Sequence, residues 1–199
     1  DVFISHTQRH GKAVAMAEKL TASLESSGLT VWLDVNMEER SAAAMEEGVR
    51  NSRMIVAIIT GATLDGNMKN AYFSRPFCIS ELQWAIDASV QIQPIILMED
   101  KSQIGTFVDQ APSHLQFLRD IDFIEMNRGD IDYWEVGVNK ILRVIEKEKT
   151  EFFTETMIQK YNTSHDFLQT QLDSGTPRQS SNEDSELLQS YSDLQILHK

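Results

Sequence analysis

Cysteine is almost missing: Cys78 is the only one among 199 residues, so no intrachain disulfide can form. A reducing compartment is then the simpler setting, and the expected location is cytoplasmic. Cations are in deficit, with 18 Lys and Arg against 30 Asp and Glu, for a net charge of −12. That balance argues against nucleic acid or an anionic membrane as the main partner, although a local basic spot can still hold a phosphate. Apolar runs stop short of the roughly 18 residues that span a bilayer, so no direct membrane insertion is expected of this segment. The five histidines are scattered and no His/Cys/Asp group has ligand spacing, so no metal is expected. No internal repeat is visible. What the chain does have is 41% hydrophobic residues, enough for a sizeable core. Its length fits one domain of about 150 residues with an appendage. It opens on Asp1-Val2-Phe3-Ile4 with no initiator methionine and runs directly into a strand pattern, so it reads as a piece of a longer protein. Membrane anchoring of that parent stays open.

Residues 1–5 read as a short apolar strand ending at Ser5-His6, followed by the polar loop Thr7 to Gly11. Val14, Ala17, Leu20 and Leu24 then recur at helical spacing until Gly28, a C-cap. Thr30 to Asp34 is rich in β-formers, and Trp32 within it reads as core. A charged loop from Asn36 to Ser41 leads to a short helix with Ala44, Met45 and Val49 inward. Met54 to Ile59 is a continuous apolar run, the mark of a central parallel strand covered on both faces. A loop over 61–75 and a helix opened by Pro76 follow. Then come a strand over Ile92 to Met98, a short helix over Pro112 to Arg119, a fifth strand over Ile121 to Ile124, and a closing helix from Ile131 to about Lys147.

This alternation predicts an α/β fold with a flavodoxin-like, open, parallel five-stranded sheet and helices on both faces. Ligands in such sheets bind beyond the carboxyl ends of the strands. There the loops after Ile4, Asp34 and Thr60 meet the start of the Pro76 helix. The domain is expected over 1–148, with a C-terminal extension over 149–199, partly helical and then disordered. Phe152, Phe153, Met157, Ile158 and Tyr161 extend a helix or start one, whereas Asp173 to Glu186 has too little apolar content to fold alone. Leu187, Leu188, Tyr191, Leu194 and Leu197 form a weak amphipathic end.

The Pro76 helix carries the feature with chemical promise. Pro76 suits a first helical turn, where its missing N–H costs nothing. Cys78, Ile79, Leu82, Ala85 and Ile86 define one buried face, and Glu81 falls at its border, half-shielded by apolar neighbours. Phe77 lies one turn earlier on the same stripe, with Ser74 near it. A carboxylate so placed is either a surface glutamate on an amphipathic helix or the edge of a cleft. Helix geometry alone makes the first the commoner outcome. Cys78 reads as a buried small hydrophobe, with no basic partner nearby in sequence to activate it.

Several stretches together resemble the TIR (Toll/interleukin-1 receptor) domain family over roughly residues 1–147. They are Asp1-Val2-Phe3-Ile4-Ser5-His6, Gly28 to Asp34, Asn51 to Val56 leading to Thr60-Gly61-Ala62-Thr63-Leu64, and Ser74 through Phe77-Cys78-Ile79-Ser80-Glu81-Leu82. The resemblance implies the TIR fold, homotypic association with other TIR domains, and one of two functions. Some members are adaptors that only assemble. Others cleave NAD+ to nicotinamide and ADP-ribose or a cyclic form, through a glutamate in an aromatic-Cys-x-x-Glu-Leu context, here Glu81. Two departures stand out: Met37 to Ala42 lacks the glycine or proline usual in that loop, and Asp65 to Arg75 is long.

One carboxylate suffices for such a cleavage. Nicotinamide leaves as a neutral base from a cationic pyridinium, so the acid half of the usual glycosidase pair is dispensable. The remaining anion steadies the oxocarbenium centre, and partial burial strengthens its field. Phe77 is a candidate to stack on nicotinamide; Ser74, His6 and Thr7 are candidate hydrogen-bond donors; Arg9 and Lys12 are candidates for the pyrophosphate. NAD+ enters as substrate, and no cofactor is expected. The competing readings are a catalytically silent TIR interaction module and a nucleoside deoxyribosyltransferase-like enzyme. A phosphoacceptor receiver is disfavoured, because Ser5-His6-Thr7 supplies no acidic pair.

Overall fold

Alternation along the strands decides which helices cover which face of the sheet. The computed structural model describes residues 1–33, 41–63 and 65–147. In β1 (Val2–Ser5) and β3 (Met54–Ile59) every residue is buried, as continuous apolar runs require when both faces are covered. Val2, Ile4, Met54, Val56 and Ile58 point to one side, where they pack with Met16, Leu20 and Leu24 of α1 (Gly11–Ser26) and Trp134, Val138 and Ile141 of α5 (residues 131–147). Phe3, Ile55, Ala57 and Ile59 point to the other, against Val49 of α2 (Ala42–Arg50), Leu82 and Ala85 of α3 (Pro76–Asp87) and Phe107 of α4 (Ile104–Val108). Two separate cores thus sandwich one sheet.

The strand order is β2-β1-β3-β4-β5, with every pair parallel; β2 is Val31–Leu33, β4 Gln91–Leu97 and β5 Ile124–Met126. The chain leaves β1 for β2 in one direction and builds β3 to β5 in the other. The switch point therefore lies between the carboxyl ends of β1 and β3. This is the five-stranded flavodoxin-like arrangement expected.

Several boundaries differ from expectation. The fifth strand begins at Ile124 rather than Ile121, because pairing to β4 starts only at Ile95↔Ile124. Just before that point the Gln93 side chain donates to the Asp122 carbonyl at 2.9 Å, taking the place of a strand ladder. Pro94 is thereby tolerated in an inner strand, since β5 pairs β4 only from the next residue onward. The helix expected over Pro112 to Arg119 is a run of 3-10 turns, Ser113–Asp120. The loop over 61–75 holds two short 3-10 turns, Met68–Asn70 and Tyr72–Ser74. Trp32, expected in the core, is 39% exposed on edge strand β2, its ring lying over Gly48 of α2. Ile86, expected on the buried face of α3, is 38% exposed. The chain divides into the units Asp1–Glu146 and Lys147–Lys199. The readings made for the loop over 34–40 and for the extension from residue 149 lie outside the described residues. No described helix is long and apolar enough to cross a membrane.

Candidate active site

Ser5 closes β1, and its side chain follows Phe3 onto the face that α3 covers. Pro76 starts α3 just after the Tyr72–Ser74 turn. That turn is fastened to the end of β3 by the Tyr72 amide, which donates to the Thr60 carbonyl at 2.9 Å. A strand end, a turn and a helix thus converge at the switch point.

Glu81 lies where they meet. It was expected at the border of the helix face, half-shielded; it is 4% exposed instead. The helical wheel places it at the border, but the cover comes from outside the helix. Ser5 Oγ donates to Glu81 Oε2 at 2.5 Å, and Ser5 Oγ in turn lies 2.6 Å from Tyr72 Oη. Tyr72 is fully buried and meets Phe73 edge-on, with ring centroids 5.2 Å apart. Burial pushes its phenol well above the usual tyrosine range, with the neighbouring Cys78 and Glu81 adding to the rise and the Ser5 hydrogen bond opposing it. Below the carboxylate, Cys78 Sγ donates to the His6 carbonyl at 3.5 Å, tying α3 to the loop after β1.

The other candidates divide into two groups. His6 and Thr7 are buried at the carboxyl end of β1. Thr7 Oγ1, like Thr60 Oγ1 at the end of β3, is buried without a hydrogen-bond partner among the described residues. Phe77 is 49% exposed, and Ser74 and Arg9 are also on the surface. Lys12 is engaged elsewhere, 2.9 Å from Glu99 in the turn after β4. His10 caps α1 by accepting from the Ala13 amide. No group of His, Cys, Asp and Glu able to hold a metal occurs among the described residues. A groove of about 520 Å³ between α1 and α5, lined in part by Lys19, Ser23 and Trp134, opens on the opposite face of the sheet.

Sequence reasoning missed Ser5 and Tyr72 as partners of the carboxylate. Tyr72 lies nine residues before Glu81 and outside the helix, so helical spacing cannot connect them. The available signal was parity for Ser5, which shares its face with the core residue Phe3. For Tyr72 it was the need of a buried phenol for a polar partner.

The family model described as TIR domain matches residues 2–142. Nineteen chains of solved structures match this one. Among them are the TIR domains in the structure of the activated Roq1 resistosome directly recognizing the pathogen effector XopQ. That match has a TM-score of 0.51 at 16% identity and covers 73% of this chain and 98% of that one. At this identity the likeness speaks for the fold alone. No curated protein matches the sequence. The family match spans well over half of the chain and runs from β1 into α5: this chain belongs to the TIR domain family.

Proposed function

We propose that this chain cleaves NAD+ between nicotinamide and ribose, giving nicotinamide and ADP-ribose or a cyclic form, in immune or cell-death signalling. The observation that carries the reading is the Glu81 carboxylate, sunk at the switch point of a parallel sheet and held there by a hydroxyl. In the reaction the C1′–N bond breaks and its electron pair stays on the ring nitrogen, which turns the pyridinium into neutral nicotinamide. Glu81 supplies the negative charge that the forming oxocarbenium ion needs, in surroundings that screen it little. Water then adds to C1′ and loses a proton, with Glu81 as the base; attack by an adenine nitrogen of the same molecule gives the cyclic product. Phe77 offers an exposed ring for stacking, His6, Thr7 and Ser74 offer donors, and Arg9 offers charge for the pyrophosphate.

Self-association belongs to the reading. At 4% exposure, Glu81 reaches a sugar only after local opening, which contacts between TIR domains would favour. The TIR domains of the activated Roq1 resistosome, which share this fold, give this part its precedent. The test is nicotinamide release from NAD+ at high protein concentration, with Glu81→Ala and Glu81→Gln alongside. Turnover in the unaltered chain and a loss of about 10² or more in both variants is the expected result. Full rate in Glu81→Gln sinks the electrostatic role. Absence of turnover at any concentration leaves a silent assembly module.

A further inference from the structure

The hydrogen bonds around Glu81 have a direction that follows from counting protons. Ser5 has one hydroxyl proton, and it goes to Glu81 Oε2 at 2.5 Å. The 2.6 Å contact between Ser5 Oγ and Tyr72 Oη must therefore be a bond that Tyr72 donates. The buried Tyr72 phenol is shifted well upward by desolvation, then by Cys78 and Glu81, so it holds that proton at neutral pH. The result is a one-way chain, Tyr72 to Ser5 to Glu81, in which each bond polarises the next toward the carboxylate. Both donors sit on fixed backbone. Ser5 is paired with Ala57 in the sheet, and the Tyr72 amide is bonded to Thr60.

We propose that Ser5 and Tyr72 are positioning residues of the reaction, forming a hydroxyl relay that keeps Glu81 ionised and in one rotamer while the sugar cation forms. The proposal rests on the reading of Glu81 as the reacting carboxylate. Its consequence is chemical rather than only structural: donors to a carboxylate favour the anion, so removing them favours the acid.

The test uses the whole chain and compares Ser5→Ala, Ser5→Thr, Tyr72→Phe and Glu81→Gln. Nicotinamide release from NAD+ is followed as kcat/KM between pH 4 and 9, and the Glu81 side-chain carboxyl is titrated by carbon-13 NMR. In Ser5→Ala the acid limb moves to higher pH by on the order of one unit, so release on that limb falls about tenfold. Tyr72→Phe moves it in the same direction by less, and Ser5→Thr, which restores a hydroxyl, brings it back toward the original. If Ser5→Ala does not fold, Tyr72→Phe, which loses a single oxygen, carries the test. Wild-type pH profiles and carboxyl titrations in folded Ser5→Ala and Tyr72→Phe overturn the relay. Should the unaltered chain release no nicotinamide, the proposed function falls, and the carboxyl titration still decides the relay. An upward displacement in the variants supports it, and coincident curves overturn it.

Discussion

Gly61 has no room for a side chain. It follows β3 by two residues, and a Cβ built there would lie 2.3 Å from Cε1 and 2.6 Å from Cζ of Phe107. Phe107 is buried among the apolar side chains of α3, α4 and β4, so its ring cannot retreat without opening that core. Gly61→Ala should therefore cost about 1–3 kcal/mol, the usual range for overpacking. Gly11, the first residue of α1, has nothing within 4 Å of such a Cβ. Gly11→Ala should be neutral or stabilising by up to about 1 kcal/mol. Urea unfolding midpoints of the two variants check the contrast; equal midpoints would mean that Phe107 yields more freely than its packing indicates. At this scale the sequence was only partly legible. Glu81 was singled out as a candidate through its motif, but its degree of burial was not legible, because Ser5 and Tyr72 reach it from separate elements. Trp32 was misread for a related reason. A tryptophan in a β-rich stretch looks like core, yet the neighbouring helix offers it a glycine face, Gly48, beside an open edge.

Two helices end in the same motif with different residues. At the end of α1 the Gly28 amide bonds the Glu25 carbonyl and the Leu29 amide bonds the Leu24 carbonyl, with Gly28 at φ +85. At the end of α3 the Ser89 amide bonds Ile86 and the Val90 amide bonds Ala85, with Ser89 at φ 56. Both are Schellman closures, which need one residue in the left-handed region. Glycine occupies that region at no steric cost, while any other L-residue loses about 1–2 kcal/mol. Gly28→Ala should then destabilise by about that amount. Ser89→Gly should stabilise by up to about 1 kcal/mol, because the added freedom of glycine in the unfolded chain offsets part of the gain. Thermal midpoints moving in the same direction for both would contradict the account. Gly28 could be read as a cap from sequence because glycine announces the conformation; Ser89 could not. The strands show the same division. Val2–Ser5 and Met54–Ile59 were readable as continuous apolar runs. The fifth strand was displaced because Ile121-Asp122-Phe123 alternates like a strand, and only the partner's register shows that pairing begins at Ile124.

The whole molecule carries a net charge of −12, and the proposed activity asks copies of it to come together. Like-charged chains repel, and the repulsion is felt over a Debye length of about 10 Å at 0.1 M salt and about 30 Å at 0.01 M. Apolar side chains are available on the surface to oppose it, among them Phe77 beside the candidate site and Ile131, Tyr133 and Val136 on α5. Added salt weakens the repulsion and leaves apolar burial in place. Raising sodium chloride from about 20 to 200 mM should therefore raise the mean mass of the chain in sedimentation and, with it, nicotinamide release per chain at fixed protein concentration. A basic, polyanion-binding protein behaves in the opposite way, since salt dissociates its complexes. If mass and release both fall as salt rises, the copies are held by complementary charged patches rather than by apolar contact. If release rises while mass stays constant, opening of the Glu81 site does not depend on assembly. Each of these outcomes separates the charge of the molecule from the chemistry proposed for Glu81, because Glu81 is buried from the ions that screen the surface.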